Sequence, residues 1–429
     1  MPELVIGNVP RGEDYFGQEH LIERIWSNLE KDNVLLVAPR RFGKTGAMYN
    51  LLDFPRGSYI PLYIDVAYIN SAADFIVELI AKLIKQRHFL RLAKELWTGT
   101  KKFGKFLRDL PGGLDFGGIK VEIREKTDVK DRWLDYGEQI KSLLTKGDKP
   151  LLLIIDEFPI MANNILNKNV EEAKQLLHWF RALRTARETK ARFVIGGSIN
   201  LVSTLEYKGL VDTINDISII RLKPFPAETA QKYIEEIFLA QKIELTGAVK
   251  ETILETLGEP IPYLLAVLLK AILDRVKILR CEMTPGIVLE AFDEDLLGGS
   301  TSAVFQHYRS RIDQYYFDLE GRAAKEILGI MSRADNPVKK DTLFQVYLKT
   351  GNLSPGVQSR EDFLRLMNKL GNDFYLKPHS RGGAISRFAA GSAFDLKSQD
   401  NTYAFYSRVL KIWWKTHYGW DYKDDEKER

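Results

Sequence analysis

The sequence predicts an α/β fold with a parallel sheet, followed by a helical region and a mostly helical C-terminal domain. Three observations support this prediction. Short β-branched or leucine-rich runs alternate with helical periodicity over the first half of the chain. After Pro224 only helical periodicity continues. Near the C-terminus, three helical segments precede a glycine-bearing hairpin pattern, which is typical of a winged helix.

The first half alternates strands with helices. The predicted strands are Asn33–Val37, Tyr59–Val66, Pro150–Ile155, Arg192–Ile195 and Ile217–Leu222. The predicted helices between them are Lys44–Leu52, Ala72–Trp97, Asp131–Leu144, Val170–Thr185 and Asn200–Lys208. Such alternation favours a parallel sheet with helices on both faces. An insertion at about 98–128 carries two glycine pairs and is predicted to be a hairpin or a loop.

The second half is predicted to be helical up to the hairpin. Its first helices are Ala227–Ala240, Ala248–Leu257, Tyr263–Leu279 and Ile287–Leu296. Those after the Gly298–Ser300 boundary are Ala303–Ser332, Lys340–Lys349 and Ser359–Leu370. The hairpin is placed at Phe374–Phe388, and helical spacing over Tyr403–Trp414 predicts a core helix. We therefore expect domains at 1–223, 224–299 and 300–420, with a charged tail at 421–429.

Bulk composition limits the function classes. The chain of 429 residues is 45% hydrophobic and 28% charged, which suits two or three domains with sizeable cores. The net charge of +4 is too small to indicate nucleic-acid binding by itself. The single cysteine, Cys281, excludes a disulfide within the chain. With no apolar signal-peptide or membrane-spanning run, we expect a cytoplasmic protein with no membrane partner.

The first chemical motif follows the strand Asn33–Val37 and opens a helix. It matches the phosphate-binding loop template Gly-x4-Gly-Lys-Ser/Thr except that Ala38 replaces the first glycine. Gly43 lets the backbone approach a phosphate, Lys44 supplies a cation, and Thr45 offers a hydroxyl to Mg²⁺. The predicted nucleotide-binding residues are Ala38, Pro39, Arg40, Arg41, Phe42, Gly43, Lys44, Thr45 and Gly46. The motif predicts a P-loop that binds ATP with Mg²⁺ rather than a plain basic turn.

An acidic pair follows another predicted strand. Five apolar residues, Leu151–Ile155, lead directly into Asp156 and Glu157. The carboxyl ends of strands are where α/β sheets bind ligands. Asp156 is therefore predicted to hold the Mg²⁺ shell with Thr45, and Glu157 to orient or deprotonate the attacking water.

Together these motifs resemble the bacterial and archaeal AAA+ ATPases of the STAND-like signal-transduction group. The P-loop and the acidic strand end carry the resemblance, which covers most of the chain. Phe16, Gly17 and Gln18 stand where the family has an aromatic–Gly–Arg box near the adenine, with Gln18 in place of the arginine. The resemblance implies a P-loop NTPase sheet, an AAA+ helical lid and a C-terminal winged helix.

The resemblance also assigns sensor and lid residues. After the strand Arg192–Ile195, it places the polar sensor 1 residue at Ser198 or, as second choice, Asn200. In the lid, either Pro260 or Pro262 corresponds to the family's proline beside the nucleotide. Between Leu201 and Ile220, where oligomeric relatives carry an arginine finger, the only basic residue is Lys208. The chain is therefore expected to be a slow ATPase that serves as a switch, rather than a motor.

The output of the switch stays open at the level of sequence. The first candidate is a Mg²⁺-dependent ATPase whose conformational change is read by an unknown protein partner or by self-association. The second is an ATP-regulated DNA-binding protein, related to origin or transposition ATPases. Its basic residues would be Arg360, Arg365 and Lys369 of a recognition helix and Lys377, Arg381 and Arg387 of the hairpin, although a solvated surface or an intramolecular contact is an alternative. The third is a nucleotide-gated scaffold, for example in phage defence, with little hydrolysis.

Overall fold

The computed structural model describes residues 2–97, 132–147, 149–197, 200–299, 302–379 and 402–419. The chain divides into two units. Unit 1 comprises Met1–Gly17, Pro39–Gly43 and Lys223–Arg429, and unit 2 comprises Gln18–Ala38 and Lys44–Leu222. The predicted insertion at 98–128 and the charged tail at 421–429 lie outside the described residues.

Unit 2 is built on a parallel sheet with strand order β2–β3–β4–β1–β5. The strands are β1 (Asn33–Val37), β2 (Ile60–Asp65), β3 (Leu151–Asp156), β4 (Ala191–Gly197) and β5 (Ile217–Arg221). The helices are α1 (Glu19–Leu29), α2 (Lys44–Asp53), α3 (Ala72–Lys85), α4 (Arg87–Trp97), α5 (Trp133–Lys146), α6 (Phe158–Lys168), α7 (Val170–Arg184) and α8 (Asn200–Tyr207). The prediction of an α/β fold with a parallel sheet is confirmed.

The apolar runs of the central strands reflect burial on both faces. Every residue of β1 and β3 is buried, and so are all but one of β4. A parallel strand covered by helices on both sides has no solvent face and so needs no polar alternation. Since the strands run in one direction, the ends of β1, β3 and β4 lie at one edge of the sheet, where polar residues follow them.

One predicted helix in unit 2 requires correction, and one helix was not predicted. The predicted helix Ala72–Trp97 is two helices, because Gln86 is extended and ends α3. The break gives α4 its own direction, and Phe89 on it is buried beside Gly147 at the end of α5. Helix α6 was not predicted, because its eleven residues are apolar on more than one face and lack clear amphipathic spacing.

The helices of unit 1 form two groups. The first is α9 (Ala227–Ala240), α10 (Gly247–Leu257), α11 (Pro262–Leu279) and α12 (Pro285–Glu290). The second is α13 (Ser302–Tyr315), α14 (Asp318–Arg333), α15 (Lys340–Gly351), α16 (Val357–Asn372) and α17 (Arg408–Tyr418). Three short strands, β6 (Val338–Lys339), β7 (Leu376–Pro378) and β8 (Thr402–Phe405), pair antiparallel in the order β6–β8–β7.

Two C-terminal predictions also differ from the structure, and a third falls mostly outside the described residues. The predicted helix Ala303–Ser332 breaks between α13 and α14, where Tyr316 turns inward and its hydroxyl donates to buried Asp373. Strand β7 pairs with β8, and residues 380–388 of the predicted hairpin Phe374–Phe388 lie outside the described part, so that hairpin stays a prediction. The start of Tyr403–Trp414 is a strand, because its aromatic residues pair with β7 before α17 begins.

A buried ion pair anchors α7 to the segment that enters β5. The Arg184 guanidinium donates to both Asp216 carboxylate oxygens, at 3.0 and 2.9 Å, and to the Thr213 carbonyl oxygen at 2.7 Å. The Arg184 side chain is only 2% exposed. Burial lowers the pKa of Arg184, while the bonds to Asp216 oppose that shift, so the cation depends on its carboxylate partner.

Replacing Asp216 with alanine should lower the free energy of unfolding by about 3 kcal/mol, because the Arg184 cation would stay buried without a carboxylate. Asp212→Ala is the matched control. Asp212 meets Arg181 at 3.5 Å on the surface, so its loss should cost less than about 1 kcal/mol. Urea denaturation followed by circular dichroism measures both variants, and equal costs would contradict the structural role of the buried pair.

Candidate functional site

The first turn of α2 meets the end of β3 in unit 2. The Thr45 hydroxyl donates to Oδ2 of Asp156 at 2.8 Å. The Lys44 ammonium lies 3.2 Å from Oε1 of Glu157 and 3.4 Å from Oδ1 of Asp156. All four side chains were predicted from the sequence. The fold brings Lys44 and Thr45 to Asp156 and Glu157, although the two pairs are more than a hundred positions apart in the chain.

Asp156 is held by donors on both carboxylate oxygens. Oδ1 accepts from the Glu157 backbone N–H at 2.9 Å and faces Lys44. Oδ2 accepts from the hydroxyls of Thr45 and Tyr63, the latter at 3.3 Å. Burial and then the negative charge of Asp156 raise the pKa of Tyr63, so its phenol stays protonated and donates. The carboxylate therefore has a fixed orientation.

Glu157 ends β3 in a strained conformation. Its φ of 57° and ψ of 28° place it in the left-handed region, directly before α6. A non-glycine residue held there indicates that the surroundings impose the geometry, which is frequent at functional sites. One carboxylate oxygen faces Lys44, and the other, Oε2, is buried and has no hydrogen-bond partner among the described residues. That oxygen can accept a hydrogen bond from a bound water or substrate.

A glycine on β4 leaves the space in which the site assembles. Strand β4 lies between β1 and β3, so its terminal residues separate the end of β1 from the end of β3. A Cβ at Gly196 would come within 2.5 Å of Oδ1 of Asp156 and would also clash with the end of Met48. Sequence reasoning missed this role, although a glycine pair at the end of a buried strand signals close approach of other groups.

The loop before α2 belongs to unit 1, and its backbone explains the altered motif. Ala38 does not have a positive φ, so the missing first glycine is tolerated. The left-handed positions are Arg41, with φ of 72°, and Gly43, with φ of 90°. Pro39 is buried and Arg40 is exposed.

Two loop side chains contact other parts of unit 1. The Arg41 guanidinium lies 4.6 Å from the centre of the Tyr263 ring at the start of α11. Phe42 is 1% exposed and packs against Phe374 and Tyr406, with ring centres 5.8 and 6.4 Å away. Phe374 and Tyr406 are themselves 4.8 Å apart. We call Phe42, Phe374 and Tyr406 the Phe42 cluster; no motif in the sequence signals it.

The predicted adenine-side residues form a packed N-terminal segment. The Phe16 ring lies 5.2 Å from that of Tyr233, and Gly17 has a φ of 68° and faces Thr229. Gln18 precedes α1 without capping it through its side chain. Tyr15 is a further residue here, since its ring lies 3.7 Å from where Gly43 would carry a Cβ. Contact of this segment with a nucleotide stays a prediction.

The lid prolines have separate local roles. Pro262 is the first residue of α11, where its missing N–H costs nothing. The Pro260 carbonyl accepts from the backbone N–H of Phe225 at 3.0 Å. Glu259 lies in the sequence between α10 and Pro260. Its carboxylate accepts from Lys377, and from the backbone N–H of Arg408 at 3.0 Å.

The remaining predicted residues are less well placed. Ser198 lies outside the described residues, and Asn200 begins α8 with a side chain that is not described. Gly46 is buried in α2, behind Thr45. Both sensor assignments therefore stay predictions.

The surroundings of two basic residues, Lys208 and Arg275, bear on catalysis. Lys208 is exposed at the end of α8. Arg275 of α11 meets Glu290, Glu294 and Asp295 at 3.5, 2.6 and 2.5 Å. Hydrogen bonds to Asp295 and then to Glu294 raise the pKa of Arg275, and the three carboxylates hold its guanidinium within the helical region of unit 1.

The candidate DNA-facing helix, α16, is electrically mixed. Arg360 and Arg365 are exposed, but Arg365 lies 3.5 Å from Asp362. Lys369 is engaged by Glu320 at 2.6 Å and by the Tyr315 carbonyl at 2.8 Å. Arg381 and Arg387 lie outside the described residues. Binding of DNA through the C-terminal part stays a prediction.

The donor set suits magnesium and a polyphosphate. Among the described residues, no three His, Cys, Asp or Glu side chains gather as a metal site. Magnesium needs no such cage, because it is usually held by one or two hard oxygen ligands, with substrate phosphates and waters completing its shell. Thr45 and Asp156 would hold the ion, and the buried Oε2 of Glu157 fits a water beside it.

No helix in the described part of the chain has the length and apolar character needed to cross a membrane.

Comparisons with known proteins place this arrangement in context. No protein-family model matches the chain. An uncharacterized ATP-binding protein of Methanocaldococcus jannaschii is 24% identical over 331 residues, which cover 70% of this chain and 87% of that protein.

Two solved structures resemble the fold. The Walker-type ATPase of Pyrococcus abyssi superposes with a TM-score of 0.55 at 16% identity, over 96% of this chain and 99% of that one. The ORC2 protein of Aeropyrum pernix, in its ADPNP–ADP complexes, gives a TM-score of 0.51 at 13% identity, over 87% and 90%. At such identities the likeness concerns the fold alone: the chain has the α/β P-loop NTPase fold of these archaeal ATPases.

Proposed function

We propose that the chain binds ATP with Mg²⁺, hydrolyses it slowly, and acts as a nucleotide-driven conformational switch. The observation that carries this proposal is the meeting of Lys44 and Thr45 with Asp156 and Glu157 at the carboxyl edge of the sheet. The names of the archaeal relatives, one of them ATP-binding and one solved with ADPNP and ADP, support the choice of adenine nucleotide.

Phosphate binding follows from the start of α2. The first N–H groups of a helix have no partner within it and carry the positive end of its dipole, so they attract an anion. The Lys44 ammonium adds a full charge, and its three N–H groups can serve phosphate oxygens together with the carboxylates. The left-handed turn at Gly43 brings the backbone there without a side chain in the way.

Hydrolysis would be assisted by Glu157. Magnesium, when bound, would withdraw charge from the phosphate oxygens. Oε2 of Glu157 can accept a hydrogen bond from the attacking water, while Oε1 stays next to Lys44. Asp156 is occupied by four donors and suits a structural role around the metal.

Slow turnover is supported by the positions and contacts of the arginines. A cation that reaches the transferred phosphoryl group is worth several orders of magnitude in rate. The sequence between Leu201 and Ile220 contains no arginine, and Arg275 is held by three carboxylates.

The switch part of the proposal rests on the Phe42 cluster. Phe42 is separated from Lys44 by one residue, so a shift of the loop on nucleotide binding would move a ring that packs against Phe374 and Tyr406. These two residues flank β7 and β8 of the C-terminal sheet, whose order of helix, strand, two helices and two strands supports a winged helix. The C-terminal domain is thus the part that would respond.

Lys44→Ala should weaken ATP binding by about 10- to 100-fold, because a charge-assisted contact is lost and two carboxylates are left facing the phosphates. Glu157→Gln should bind ATP at least as well as the wild type, since it removes a negative charge, but should lower turnover by about 100-fold or more. Calorimetry and phosphate release measure the two effects. Turnover unaffected by both substitutions would overturn the proposed activity.

Phe42→Ala should still bind ATP, since the loop meets phosphate through backbone N–H groups, but should abolish the response of the C-terminal domain, because the loop would lose its contact with Phe374 and Tyr406. The measurement is hydrogen–deuterium exchange over residues 357–378, with and without ATP. Phe363→Ala is the control: it removes an equally buried ring that packs on Phe344 and Tyr347, not on the loop. An ATP-dependent change that survives in Phe42→Ala and matches that of the control would refute the coupling.

A further inference from the structure

Tyr63 lies on β2, a strand that carries none of the motifs described above. Its hydroxyl nevertheless donates to Oδ2 of Asp156, the oxygen that also accepts from Thr45. The two hydroxyls converge on one oxygen from different elements, Tyr63 from the sheet and Thr45 from α2.

The register of the sheet explains how the phenol reaches this oxygen. Strand β2 pairs with β3 so that Tyr63 lies opposite Ile154 and Asp65 opposite Asp156. Tyr63 and Asp156 are therefore diagonal neighbours on one face, a separation that a long aromatic side chain can span. Asp65 does not take this place, because it is exposed and its carboxylate accepts from the Ala67 backbone.

The ring of Tyr63 is fixed by the helix that follows the P-loop. Tyr49 of α2 packs against it edge-on, with ring centres 5.1 Å apart and planes at 62°. Tyr49 lies one turn after Thr45, so the same helix places the Thr45 hydroxyl and supports the Tyr63 ring. Thr45 and Tyr63 thus both donate to Oδ2, and Tyr49 supports the Tyr63 ring.

We propose that Tyr63 is a positioning residue that orients Asp156 for Mg²⁺ at the proposed ATP site. This inference rests on the proposed function. Without the phenol donor, the carboxylate retains the contacts that come from α2 and from its own backbone, but loses the one that comes from the neighbouring strand. A Tyr63 that merely filled the core would have no specific effect on the metal, so the two roles make different predictions.

The test compares Tyr63→Phe with Tyr59→Phe in the full-length protein. Tyr59 precedes β2 and packs on Trp26. The Tyr59→Phe variant therefore also lacks one tyrosine hydroxyl, but at a position that does not contact Asp156. ATP binding is measured by calorimetry in EDTA and over a series of Mg²⁺ concentrations, and phosphate release over the same series. Thermal unfolding checks that both variants fold.

Tyr63→Phe should bind metal-free ATP like the wild type but require about fivefold more Mg²⁺ for half-maximal turnover, the loss expected for a longer charge-assisted hydrogen bond. Saturating Mg²⁺ should restore most of its turnover, and Tyr59→Phe should match the wild type throughout. Suppose that the wild type responds to Mg²⁺. If Tyr63→Phe then has the same Mg²⁺ dependence, or weakens ATP binding in EDTA as much as it weakens ATP binding with Mg²⁺, the inference is overturned while the proposed function stands. A wild type that binds no ATP would overturn both.

Discussion

The ion pairing between Lys44 and the acidic end of β3 is the interaction on which the rest of the site depends. Lys44 is 8% exposed, and a buried ammonium without anionic partners costs several kcal/mol. Asp156 and Glu157 supply those partners, and they are themselves largely removed from water. Neither the start of α2 nor the strand end could keep its charges buried alone, so the two segments stabilise each other only when the sheet is correctly paired.

The pairing of these charges also requires a particular strand order and register in the sheet. Because β4 lies between β1 and β3, the charged groups can meet only across a strand end that carries no side chain, which is what Gly196 provides. On the other side of β3, β2 must be in the register that brings Tyr63 to Asp156. A shift of one residue in either strand would turn the facing side chains to the opposite face. The geometry of the site therefore depends on the register of the sheet.

The sequence predicted what depends on local chemistry. Phosphate and magnesium require particular residue types at strand ends, so Lys44, Thr45, Asp156 and Glu157 could be found from motif and apolar run alone, and the structure brings them together. The roles of Tyr63 and Phe42 could not be found, because each side chain acts through a neighbour distant in the chain, and the role of Gly196 was signalled only by the glycine pair at its strand end. The same applies to the helix breaks at Gln86 and Tyr316, where tertiary packing overrides a continuous helical pattern.

The unusual loop sequence gains a physical reason from these contacts. A left-handed Arg41 costs about 1 kcal/mol that a glycine would not incur. The stacking of Arg41 on Tyr263 and the burial of Phe42 against Phe374 and Tyr406 offset that cost. The conformation of the loop thus depends on the helical and C-terminal parts of unit 1. Under the proposed function this dependence is reciprocal, because a ligand that favours one loop conformation must favour the C-terminal arrangement that stabilises it by the same free energy.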